Sequence, residues 1–195
     1  MLRNGKLLSS SLIGVMALLL LVSNAASVSA APEPATYDYL IGGHFFDQFG
    51  VGGPDIAIAS NGATIAMLGA GSLSIHSKSV SGGGTFTQTD ASGSVVAAGT
   101  WTAEQLLSFD PYGTAPPDSF INVYGGKALI RIHLSPAAGG PGVDAVLRIT
   151  CVAGFPPPSA EEGIELAVEG GPNFNRNLDV FAGEGGGATA FMPVP

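Results

Sequence analysis

Cysteine, basic charge and helix-forming stretches are scarce in this chain, and each scarcity excludes something. One cysteine, Cys151, stands among 195 residues. No intramolecular disulfide can form, so the chain is not a disulfide scaffold. Basic residues number 7 against 15 acidic ones, a formal net charge of −8. A nucleic-acid binder that neutralises phosphates needs a Lys/Arg footprint, and this chain has none. No heptad repeat runs through it, which excludes a coiled coil. Gly-x-Ser-x-Gly, His-Glu-x-x-His and phosphate-loop motifs are all missing. Gly82-Gly83-Gly84 has neither the Lys nor the following helix that a phosphate loop uses. No catalytic or cofactor motif stands out, so no cofactor is expected.

Glycine and proline are plentiful instead, at 29 and 14 residues. That level borders on low-complexity composition. The apolar residues argue for a folded domain, because they fall in short alternating runs rather than being depleted.

The first thirty residues read as a secretory signal peptide. Arg3 and Lys6 form a positive start, Leu12 to Val22 is an apolar stretch, and small residues end at Val28-Ser29-Ala30. Small residues at the −3 and −1 positions place the cut between Ala30 and Ala31. The apolar stretch has 11 residues, whereas crossing a bilayer takes about 20. A cleaved leader is therefore expected rather than an anchor, followed by one secreted β-domain over residues 31–195. No stable membrane anchor and no nucleic-acid partner are expected. Cleavage removes Arg3 and Lys6, which leaves the exported chain more acidic.

Its runs read as strands. Asp55 to Ala59 faces Ala63 to Leu68 across Asn61-Gly62, a pair that tolerates positive φ and favours a hairpin. Leu73 to Ser77 alternates with period two. Gly82-Gly83-Gly84 reads as a break. Thr85 to Thr89 faces Ser94 to Ala98. Phe120 to Tyr124 reads as a strand closed by Gly125-Gly126. Ala128, Ile130, Ile132 and Leu134 share one strand face, with Arg131 and His133 opposite. Asp144 to Val152 alternates in the same way. Further strands are expected at Ile164–Val168 and Leu178–Ala182. A short helix is expected near 103–109, where Thr102 and Gln105 resemble a capping box and Asp110-Pro111 would stop it. A helical turn at Ser159, with Glu162 as box partner, is also expected. The fold class is all-β: a single antiparallel β-barrel of about eight strands, or alternatively a β-sandwich. Closure favours the barrel, since a Lys-poor chain has few charges to guard exposed edges.

The candidate ligand-binding residues are His76, Lys78, Arg131 and His133. Each pair sits at i, i+2, so its members leave one strand face together. Neighbouring strands would merge them into a basic patch suited to a small or polymeric anionic ligand; otherwise they belong to a solvated outer face. His44 and Asp47 pair an imidazole with a carboxylate, but they complete no metal-ligand set. Glu161, Glu162, Glu165 and Glu169 lack the spacing of a calcium loop, so no metal site is expected. Cys151 reads as a buried inert thiol and Trp101 as core.

Four stretches carry a resemblance: Gly53 to Gly62, Ser79 to Phe86, Ala128 to Leu134 and Ala160 to Ile164. They resemble a group of small secreted microbial proteins with no assigned function, over most of the chain after residue 30. The resemblance implies an exported β-domain and no activity or site. The function expected is a non-catalytic extracellular binding module. The alternatives are a structural or surface-coat protein, or a small barrel enzyme using His44 or His133 with Asp47 or Asp144 as an acid–base pair.

Overall fold

The computed structural model describes residues 35–116 and 122–195, all within one compact unit, Glu33–Pro195. Residues 1–34, which include the expected leader, and residues 117–121, which include the start of the strand expected over Phe120 to Tyr124, lie outside the described residues. The protein is all-β, with eleven strands in one antiparallel sheet. They are β1 (Thr36–Ile41), β2 (Asp55–Ile58), β3 (Thr64–Ser74), β4 (Ser79–Thr89), β5 (Val95–Thr114), β6 (Tyr124–Pro136), β7 (Val143–Cys151), β8 (Gly163–Val168), β9 (Asn173–Phe174), β10 (Arg176–Asn177) and β11 (Thr189–Pro193).

Consecutive strands from β2 to β9 pair as a meander. The first link is the Asn61-Gly62 hairpin, with Gly62 at φ 84° and the Asn61 side chain accepting from Ala63 N at 3.1 Å. β1 pairs with β3 on one edge and β11 on the other, and β11 also meets β6 at Phe191 and Tyr124.

Strand alternation decides what is buried. Ala128, Ile130, Ile132 and Leu134 on β6 join Ala145, Leu147 and Ile149 on β7 in the main core. Trp101 closes this core from β5, is 2% exposed, and donates its indole N–H to Leu68 O at 3.1 Å. The indole lies where a Cβ on Gly69 would sit, so Gly69 on β3 is a packing requirement. A smaller apolar cluster forms on the other face of the β1–β11 ribbon. Leu40 and Ala190, cross-strand partners, pack there with Phe46 from the 3-10 helix His44–Phe49.

Several expectations are corrected. Residues 103–109 are strand, in the middle of the 20-residue β5. Pairing with β4 and β6 on both edges overrides a modest helix propensity. Bulges at Ala103/Gln105, Leu106/Ser108 and Pro111/Gly113 each insert a residue, which broke the period-two pattern and imitated a helical one. Pro111 stands beside such a bulge, a position in a sheet that tolerates proline. Gly82-Gly83-Gly84 does not break the chain but runs through β4; Gly82, at φ 125°, lies under the Tyr39 hydroxyl. Gly125-Gly126 likewise lies inside β6. Residues 75–78 are a turn rather than strand, and Pro157 to Ala160 is a turn rather than a helical one. Residues 180–182 form a 3-10 helix, because the Asp179 side chain accepts from Phe181 N and Ala182 N. The described residues hold eleven strands rather than about eight; β1, β9, β10 and β11 are the ones the sequence pattern does not mark.

Candidate functional site

The four candidate ligand-binding residues separate into two groups. His76 and Lys78 lie in the turn between β3 and β4, with Lys78 at φ 50°. Arg131 and His133 lie on the outward face of β6, opposite Ile130 and Ile132. β3 and β6 are not paired on either edge; β4 and β5 stand between them on one route, β1 and β11 on the other. The four therefore form no single basic patch.

His133 has a partner that its sequence position hides. It stands directly across from Asp144 in the β6–β7 register, and the Nδ1 to Oδ1 distance is 2.8 Å. Their side chains are 37% and 45% exposed. Beside them runs a groove of about 410 Å³ bordered by Arg131, Asp144 and Glu169. His44 and Asp47 make a similar contact at 2.7 Å, fully in solvent on their short helix.

A different place concentrates apolar surface. At the end of the ribbon, beside the smaller cluster, a cavity of about 360 Å³ opens between Phe46, Val51, Val123, Val152 and Phe181. Its lining comes from seven separate stretches of chain, which is why no motif announces it. Phe49 and Phe181 are exposed. At the floor lie Cys151, Glu162 and Thr189.

The acid at that floor is fully engaged. Glu162 is 2% exposed. Its Oε2 accepts from Val152 N at 2.8 Å, and its Oε1 accepts from Thr189 N at 2.8 Å. Thus one carboxyl ties the end of β7 to the start of β11. The Thr189 hydroxyl lies 2.7 Å from Thr150 O and 2.8 Å from Glu162 Oε1. It has one proton for two acceptors. Thr189 Oγ1 donates toward both Thr150 O and Glu162 Oε1. Burial pushes the Glu162 carboxyl up to about 7, against the lowering effect of the bonds it accepts from Val152 N, Thr189 N and the Thr189 hydroxyl. Burial and the Glu162 charge together push the Cys151 thiol up to about 12, so it is held as a neutral thiol.

A second buried acid lies behind Glu162. Asp55 is fully buried and accepts from Ile56 N through Oδ1 at 2.8 Å, while its Oδ2 has no partner among the described residues. Burial raises its carboxyl well above the ordinary range, reinforced by the Glu162 charge. Asn177 donates to Glu162 O, and its own Oδ1 lacks a partner. The remaining acids of the Glu161–Glu169 run face outward, with Glu165 paired to Arg148.

Compared with known proteins, the chain matches no family model, no curated protein and no solved structure.

Proposed function

We propose that this protein is an exported, non-catalytic β-barrel binding module that holds a small, largely apolar ligand in the cavity beside Phe46. The barrel reading is supported by the circuit of pairings: β3 to β4, β4 to β5, β5 to β6, β6 to β11, β11 to β1, and β1 back to β3. A circuit of this kind leaves those strands without a free edge. The export reading rests on the leader pattern of residues 1–30.

The observation that carries the binding reading is the cavity itself. Its volume falls within the range of roughly 300–1,000 Å³ that small-molecule sites occupy. Its walls are Phe and Val side chains, and the acid at its floor is already satisfied by Thr189 and Val152. A ligand there gains by burying apolar surface rather than by ion pairing. The basic residues named from sequence stand elsewhere, so an anionic ligand is the weaker choice for this cavity. The enzyme alternative has two supporting contacts, His133 with Asp144 and His44 with Asp47, but neither pair lines the cavity.

A thermal-shift screen with small aromatic hydrocarbons and medium-chain alcohols tests the reading. Binders raise the melting temperature of the parent, and Val51→Trp, which fills the cavity, abolishes the rise. Retention of the rise in Val51→Trp, or its loss in Arg131→Ala/His133→Ala, moves the site to the outer face and contradicts the proposal.

A further inference from the structure

On the outer face, three strands bring one imidazole and two carboxylates together. Glu104, His133 and Asp144 come from β5, β6 and β7, and one ligand atom from each lies within 4.8 Å of the other two. The register explains the convergence. His133 faces Asp144 across one edge and Thr102 across the other. The ladder then steps from the Ala103–Ile132 pair to the Gln105–Arg131 pair, leaving Glu104 as the extra residue of a β-bulge. A bulge re-aims the side chain it inserts, and here it sets Glu104 beside the His133–Asp144 pair. The imidazole's placement depends on Gly142, where a Cβ would occupy the position of Nε2.

Charge and donor type say what belongs among these groups. Two carboxylates flank the imidazole, and Glu169 adds a third acid at the rim of the adjoining groove. Arg131, two positions along the same face, makes no ion pair among the described residues. All-oxygen sites suit calcium and magnesium, whereas one imidazole nitrogen with carboxylate oxygens suits zinc.

We propose that Glu104, His133 and Asp144 form a zinc-binding site, with three protein ligands and a remaining position open to water or an anion. The site is separate from the apolar cavity, and either proposal stands if the other fails. The spacing hides it from the sequence: Glu104 precedes His133 by a whole hairpin, and Asp144 follows on the next strand.

The test is a zinc titration of chelator-stripped protein by calorimetry, repeated with calcium. The parent is expected to bind one zinc per chain in preference to calcium. His133→Ala and Glu104→Gln are each expected to weaken zinc binding by at least about tenfold. His44→Ala, which removes the other His–Asp contact, is expected to leave it unchanged. Glu104 is exposed on its bulge, so Glu104→Gln should melt like the parent in chelator and isolates the ligand role from folding. Absence of saturable zinc binding by the parent overturns the proposal. So does unweakened binding in either site variant, or loss of binding in His44→Ala.

Discussion

Glu162 accepts the backbone N–H of Thr189 at 2.8 Å, across 27 positions of sequence. With the parallel contact to Val152 N, it fastens the end of β7 to β11 at the cavity floor, beside the Thr189 hydroxyl's bond to Thr150 O. Removing it leaves two N–H donors without their acceptor in a buried place. Each such orphan costs about 1–3 kcal/mol. Glu162→Ala is therefore expected to destabilise the fold by roughly 2–5 kcal/mol at pH 5, measured by urea denaturation. A loss within error of zero contradicts this role.

The same carboxyl sets a pH dependence. Its ordinary value is 4.5 and burial raises it to about 7, so the folded state binds the proton more tightly than the unfolded chain. Stability from this group is fully present below pH 4.5 and is lost as pH rises to about 7, amounting to about 3 kcal/mol. Asp55, shifted in the same direction by its burial, extends the fall. Denaturation midpoints recorded between pH 4.5 and 8.5 should decline, and Glu162→Gln should flatten the lower part of the curve. A parent curve that rises over this window contradicts the assignment.

Cys151 gives a chemical readout of the same floor. Burial and the nearby Glu162 charge hold its thiol up at about 12. The thiolate is the reactive form. A disulfide-exchange reagent at pH 8 should leave the native protein unmodified and label one thiol per chain on unfolding. Prompt labelling of native protein would show the thiol to be open and ionised.

Gly69 tests the packing of the main core. A methyl group there meets the Trp101 ring, and overpacking of this kind costs about 1–3 kcal/mol. Gly69→Ala should lower the denaturation midpoint and shift Trp101 emission to the red. Unchanged emission and midpoint would mean that the indole lies elsewhere.

How far the sequence could be read depended on what each residue competes with. β6 was legible because Ala128, Ile130, Ile132 and Leu134 alternate without interruption and are all buried. The first hairpin was legible because Asn61-Gly62 supplies its turn locally. β5 was not, since three bulges shift the face of Leu106 and Tyr112 relative to Trp101. Gly82-Gly83-Gly84 reads locally as punctuation, whereas its reason is crowding by the neighbouring backbone at Ala70, Trp101 and Leu68, with the Tyr39 side chain against Gly82, rather than a turn. The cavity was illegible: Phe46, Val51, Val152 and Thr189 are each ordinary where they stand, and only the pairing of β11 with β1 assembles them. Glu162 was misassigned to a capping box because nothing local announces its partners on β7 and β11.

The proposed apolar site is tested most directly by chemical-shift mapping. Amide spectra of uniformly labelled protein would be recorded during titration with toluene. The account predicts saturable shifts confined to Phe46, Val51, Val152 and Thr189 and their neighbours, with Arg131 and His133 unmoved. Shifts centred on Arg131 and His133, or none at saturating toluene, would contradict it.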